Sequence, residues 1–246
     1  MLHGLYSSAI AMESSARHHE AIAHNLAHAQ LPGHRRMQMR QGTFDDSLHE
    51  TPEQLAARSL PGLRGANLSI DFTPGQSKPT GVPLDLAIEG QGFFEVETPD
   101  GLRYTRNGSF RLDDEGTLVT HEGYIVQGTQ GRLSLSLPAS LDQLKVQEDG
   151  RFFSGQRLVG QVKTVSFTDL QQLNPAGGTL FEYQGTDRPL ADESTIRQGF
   201  LEQSNVSVTR ELVEMISSQR RHEAAARSLE TLTNAIQRHT QSYGGQ

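Results

Sequence analysis

The sequence predicts an α+β chain. N- and C-terminal helices pair as a coiled-coil-like stalk, and an all-β domain of short antiparallel strands lies between them. Two observations carry this expectation. A heptad-like apolar stripe recurs at each end of the chain. Between the two, from residue 84 onward, apolar and polar residues alternate, and turn pairs ending in Gly101, Gly108, Gly116 and Gly123 leave room only for short strands.

The first helix is expected over residues 1–29. Its stripe runs Leu5, Ala9, Met12, Ala16, His19, Ala23 and Leu26, and no proline interrupts it before Pro32. Leu31-Pro32-Gly33 should end it, because proline disfavours helix at the preceding residue and glycine can turn the chain. Residues 35–83 carry Pro52, Pro61, Pro74, Pro79 and Pro83 and read as extended or irregular, with a helical turn at 54–60 and a strand at 68–72. Strands then follow around Leu86, Phe94, Phe110, Leu133, Val146 and Val159. Asp100-Gly101 and Asn107-Gly108 read as hairpin turns between them. The last helix is expected over residues 205–239, with Asn205 or Ser207 as N-cap. Its stripe is Val208, Leu212, Met215, Ala226, Leu229 and Ile236, with Gln219, His222 and Thr233 in the polar slots. A seam this narrow suits a partner helix better than a large core, so these residues are the expected assembly seam. The expected divisions are an N-terminal helix at 1–30, a linker at 31–66, the β-domain at 67–192, and the C-terminal helix with its lead-in at 193–246.

Composition narrows the function. The 246 residues carry a net charge of -7, and no basic tract exceeds His34-Arg35-Arg36, so no nucleic-acid partner is expected. The absence of cysteine removes disulfides, thiolate metal sites and cysteine nucleophiles together. No run approaches the roughly 20 apolar residues of a membrane span, and no direct membrane insertion is expected. The N-terminus lacks the charged and apolar regions of a secretory signal.

Few residues invite chemistry. Glu20, His24 and His28 stand at i, i+4 and i+8, as a metal on a helix face requires, but by heptad position they face outward and read as a solvated stripe. His19-Glu20 followed by His24 misses the zinc-protease spacing by one residue. Asp113, Asp114 and Glu115 precede Gly116 and read as turn residues rather than as a glycosidase acid/base set. Gly90-Gln91-Gly92 lacks the third glycine of a dinucleotide loop. No catalytic residue, cofactor or metal is expected. The rival functions are a metal-dependent enzyme using Glu20, His24 and His28, and a β-domain binder displayed on a helical stalk.

Three stretches together resemble the bacterial flagellar basal-body rod and hook proteins. Asn25-Leu26-Ala27, then Pro32-Gly33 and Arg35-Arg36, is similar to that family's N-L-A-N-x-x-T-x-G-[FY]-[KR] signature, with His28, Leu31 and His34 replacing its second Asn, its Thr and its aromatic. The central match runs from Pro83 through Asp85, Gly90, Gly92, Phe93 and Phe94, continues over Tyr104-Thr105-Arg106-Asn107-Gly108-Ser109-Phe110, and reaches Gly123-Tyr124. The third is Gln198-Gly199-Phe200-Leu201-Glu202-Gln203-Ser204-Asn205-Val206, then Glu211 and Met215-Ile216. The resemblance implies a non-enzymatic structural subunit of the flagellar rod, most like the proximal rod subunit, with the distal one as the alternative. It implies partners among copies of itself and other rod and hook axial proteins. It also implies passage through the flagellar type III export apparatus without a cleaved signal, and a place in the periplasmic rod of the basal body.

Overall fold

The structure, a computed structural model, describes residues 2–40, 67–135, 144–192 and 194–243. Two compact units divide the chain. One comprises Met1–Ala27, Met37–Asp71 and Ser207–Gln246; the other comprises His28–Arg36 and Phe72–Val206. The expected helical turn at 54–60 lies outside the described residues.

The first unit holds most of α1 (Leu2–His28) and all of α2 (Val208–Tyr243). Ser207 stands just before α2, and its carbonyl accepts from the Glu211 N–H at 3.0 Å, as an N-cap carbonyl does. The strands Arg36–Arg40 and Asn67–Asp71 form a two-stranded sheet. The expected coiled-coil stalk is not what the chain forms. Among the described residues the chain is mainly β-strand, with one α-helix near each end. The stripes do not behave as a knobs-into-holes seam: Ala9, Ala16, Ala23, Val208 and Leu212 are exposed. The two helices meet instead through polar groups. Ser15 Oγ donates to the Ser218 carbonyl at 3.1 Å, and Ser218 Oγ returns a bond to the Ser15 carbonyl at 3.3 Å. The buried side of α1 carries Ala21, Ile22 and Asn25; that of α2 carries Glu211 and Ser218. The buried sides are thus part polar, and Asn25, Glu211 and Ser218 carry no apolar signal in the sequence.

The second unit is the all-β body. Among the described residues its main sheet has ten strands and is antiparallel throughout. Phe93–Thr98 and Gly101–Thr105 form a hairpin at Pro99-Asp100, with Gly101 at φ 116°. Phe110–Leu112, Leu118–Thr120 and Ile125–Gly128 continue as a meander through turns at Gly116 and Gly123. At the first of these turns Asp113 Oδ1 accepts from the Glu115 and Thr117 N–H groups at 3.0 and 2.7 Å, so the acidic trio does turn work. A three-stranded sheet of Leu144–Val146, Arg151–Ser154 and Arg157–Gln161 stands beside it in sequence.

The core gathers Leu86, Phe94, Val96, Leu118, Val126, Leu135 and Phe152, all fully buried. On the other side of the Phe93–Thr98 strand, Phe93 sits in a cluster of edge-on rings with Phe72, Phe167 and Phe181. That strand is therefore covered on both faces. Glu95, which alternation places opposite Phe94, is buried and paired with Lys163 at 2.8 Å.

Asn107-Gly108 is not the expected hairpin turn. The strand before it, Gly101–Thr105, pairs with Phe93–Thr98 and Leu180–Tyr183, whereas the strand after it, Phe110–Leu112, pairs with Leu118–Thr120. The glycine is needed for close approach rather than for turning. A Cβ on Gly108 would fall 1.6 Å from the Leu86 carbonyl oxygen, and the Leu86 N–H donates to the Gly108 carbonyl at 3.0 Å.

Candidate functional site

The three motif stretches, remote in sequence, meet inside the units. In the β-unit, Leu86–Glu89 pairs antiparallel with Thr195–Gln198, and Ser77–Pro79 pairs with Phe200–Glu202. Gly199, at φ 76°, joins the two partners, and its N–H donates to the Asp85 carbonyl at 2.8 Å. The central motif thus meets the C-terminal one in a first ladder, Leu86 opposite Gln198, while the rest of the C-terminal motif pairs with Ser77–Pro79 in a second.

At the end of the second ladder lies a buried charge junction. Glu202 Oε1 accepts from Arg35 Nη2 at 2.7 Å and from the Gly75 N–H at 2.8 Å; its Oε2 accepts from Arg106 Nη1 at 3.4 Å. The Arg35 side chain has no exposed area, and those of Arg106 and Glu202 retain 2% and 3%. Arg106 is further held by the Gly90 carbonyl at 2.8 Å and lies over the Phe93 ring at 4.9 Å. Two guanidinium groups therefore share one carboxylate away from water. Burial pushes the Arg106 guanidinium down to about 10, and Glu202 pulls the other way. It stays charged at neutral pH, so its charge costs the folded state throughout that range. This group adds stability only as pH climbs from about 10 toward the ordinary arginine value.

The turn after α1 delivers Arg35 to the junction. Leu31 N–H donates to the His28 carbonyl at 3.0 Å, Gly33 takes φ 72°, and the Gly33 N–H donates to the Glu202 carbonyl at 2.8 Å. Asn205 fixes the same strand: its Oδ1 accepts from the Arg36 N–H at 2.7 Å and its Nδ2 donates to the Thr73 carbonyl at 3.0 Å. Ser204 Oγ accepts from the Val206 N–H at 3.2 Å, shaping the exit of the motif.

The helical unit has its own polar clamp. Asn25, 1% exposed, exchanges two bonds with Met37: Nδ2 donates to the Met37 carbonyl at 2.7 Å and Oδ1 accepts from the Met37 N–H at 2.8 Å. Asn25 Nδ2 also donates to Glu211 Oε2 at 3.1 Å, and Glu211 is fully buried on α2. His18 Nε2 stands 3.9 Å from Glu214 Oε2 two turns earlier on α1. Asn25→Ala should leave the Met37 backbone groups unsatisfied and cost about 1–3 kcal/mol, read as a lowered denaturant midpoint.

The remaining expected residues fall as follows. Of the seam, Met12, Leu26, Met215, Ala226 and Leu229 are half-buried, while the side chains of Leu5 and Ile236 lie outside the description. Of the motif residues, Asp85, Gly92, Phe93 and Phe94 are buried, Val206 is half-buried, and Ala27 and Gly90 are exposed. Glu20 is exposed, and His24 and His28 are half-buried. The sequence reading missed the junction of Arg35, Arg106 and Glu202. The signal was present, since all three lie within the motif stretches and each charge there required a partner.

The chain matches two families. Residues 87–153 match the family described as the Flagellar hook protein FlgE/F/G D1 domain, and residues 197–241 match the Flagellar basal body rod FlgEFG protein C-terminal family. It is 30% identical to the flagellar basal-body rod protein FlgG of Buchnera aphidicola subsp. Acyrthosiphon pisum, over 98% of this chain and 100% of that one. It is 29% identical to FlgG of Bacillus subtilis, over 96% and 97% of the two chains. It is 31% identical to the rod protein FlgF of Caulobacter vibrioides, over 86% and 85%. These matches make it an axial protein of the flagellar hook and basal-body class. The chain belongs to the flagellar basal-body rod protein family and acts as a structural subunit of the rod. Relatives named FlgG and relatives named FlgF both align with most of the chain.

Proposed function

We propose that this subunit joins the rod through the outer face of α2, packing against copies of itself and against other axial flagellar proteins. The observation that carries this is the run of large apolar side chains left in water on the first turns of α2. Val208, Leu212, Val213 and Ile216 are 45%, 48%, 63% and 55% exposed. Apolar surface on a structural subunit is most economically explained by a neighbour that covers it. The same reading makes the subunit non-enzymatic, passes it through the flagellar type III export apparatus without a cleaved signal, and places it in the periplasmic part of the rod. Among the described residues no helix is long and apolar enough to cross a membrane.

The test is a pair of variants, Leu212→Asp and Ile216→Asp, carried at normal protein level. Both positions are exposed, so the purified chain should unfold within about 0.5 kcal/mol of the parent. Swimming should be lost, and isolated basal bodies should lack the subunit. Normal swimming in both variants would overturn the assignment of this face.

A further inference from the structure

We propose that Asn107 is a spontaneous deamidation site, reactive in the unclosed chain and shut off when the strand at Leu86 pairs beside it. Asn107-Gly108 is the only asparagine–glycine pair in the chain; Asn25, Asn67, Asn174, Asn205 and Asn234 all precede residues that carry a Cβ. Glycine has none, so its peptide nitrogen reaches the side-chain carbonyl carbon of the residue before it without a steric barrier. The Gly108 nitrogen then bonds to Asn107 Cγ. The bond from Cγ to Nδ2 breaks, and ammonia leaves with the proton that the Gly108 N–H gives up. Water opens the resulting five-membered imide at one carbonyl or the other. One opening leaves an ordinary aspartyl residue; the other leaves an isoaspartyl link, with the side-chain methylene carried into the backbone.

Ring closure must swing the peptide between Asn107 and Gly108, and the folded β-unit holds that peptide on every side. Asn107 N–H donates to Thr105 Oγ1 at 3.0 Å, and Asn107 Oδ1 accepts from the Ser109 N–H at 3.1 Å. The Gly108 carbonyl accepts from the Leu86 N–H at 3.0 Å, and the Leu86 carbonyl leaves no room even for a Cβ on Gly108. Ser109 bridges antiparallel to Asp85, so the stretch is zipped to the chain entering Leu86–Glu89. On its other edge Leu86 stands opposite Gln198. The Gln198 side chain donates to the Pro83 and Leu144 carbonyls at 2.8 and 2.9 Å and accepts from the Val146 N–H at 3.0 Å. A strand from the far end of the β-unit therefore closes the gate on Asn107. Only chains in which Leu86 has opened react. The isoaspartyl product carries an extra backbone carbon and no longer matches the Leu86 contact, so a chain modified while open stays open.

The full chain is incubated at mildly alkaline pH in buffer and in urea, and peptide mapping by mass spectrometry follows every asparagine. In urea Asn107 should deamidate ahead of all the others. In buffer its reaction should slow at least about tenfold, because it tracks the population of opened chains. Gln198→Ala removes the three side-chain bonds beside Leu86 and should raise the rate in buffer, with a cooperative urea transition showing that the variant is folded. Chains aged in urea and then diluted should regain protease resistance where Asn107 is intact and stay sensitive where the link is isoaspartyl. Equal rates for the parent in buffer and urea, another asparagine leading in urea, or a parental rate in folded Gln198→Ala overturns the gated site. The comparison of the parent in the two solvents decides the matter even if Gln198→Ala does not fold.

Discussion

Glu202→Ala is expected to lower the stability of the chain by about 3–5 kcal/mol, because it strands two buried guanidinium groups. Arg35 and Arg106 bring two charges to one carboxylate, and their side chains retain 0% and 2% exposure. Without Glu202 both guanidinium groups lose the carboxylate they share, and the Gly75 N–H loses its acceptor as well. For a chain of this size each kcal/mol moves the thermal midpoint by about 2–4 °C, so the midpoint should fall by about 6–20 °C. The contrasting variant is Arg106→Met. It removes one of two like charges and keeps an apolar stem near Phe93, so it should cost clearly less than Glu202→Ala. Denaturant unfolding of the two purified variants measures both. If Glu202→Ala proves as mild as Arg106→Met, the junction is not what holds the motif stretches together.

Gly33→Ala should be the second severe change. The residue takes φ 72°, where an alanine loses about 1–2 kcal/mol. A Cβ there would also fall 2.3 Å from the Asn107 nitrogen and 2.4 Å from the Arg106 carbonyl carbon. Both are backbone atoms, so the turn itself must move, at a further cost of about 1–3 kcal/mol. Moving it carries Arg35 away from Glu202. Gly155→Ala is the control: its φ is 63°, nothing lies within 4 Å of the new Cβ, and only the backbone cost of about 1–2 kcal/mol remains. Equal losses from the two substitutions would mean that the close approach at Gly33 contributes nothing.

Elements with strong local signals were legible in the sequence. Both helices and the turns at Gly116 and Gly123 follow from periodicity and turn chemistry, which act within a few residues, and the hairpin expected at Asp100-Gly101 turns one residue earlier, at Pro99-Asp100. Features set by distant partners were not. Asn107-Gly108 has hairpin chemistry, yet the glycine serves a backbone contact with Leu86, more than twenty residues away. The stripe on each helix was misplaced because its buried side mixes Ala21 and Ile22 with Asn25, Glu211 and Ser218, and the burial of the polar three rests on hydrogen bonds that no hydropathy pattern records. For the histidines, helix spacing suggested His24 and His28 but attached them to Glu20. The stacking of His34 on His28 depends on the turn at Gly33, which helix spacing does not reveal.

The two ladders that join residues 77–89 to residues 195–202 also set a timetable. Leu86–Glu89 is among the first strands of the β-unit to leave the ribosome, and its partner Thr195–Gln198 is among the last. Until the partner arrives, Leu86 and Ile88 have no neighbour on that edge, and Arg35 has no Glu202. Pairings this far apart in sequence close late and slowly. The nascent β-unit therefore stays unlatched until nearly the whole chain exists, and a chain cut before residue 195 stays open for good.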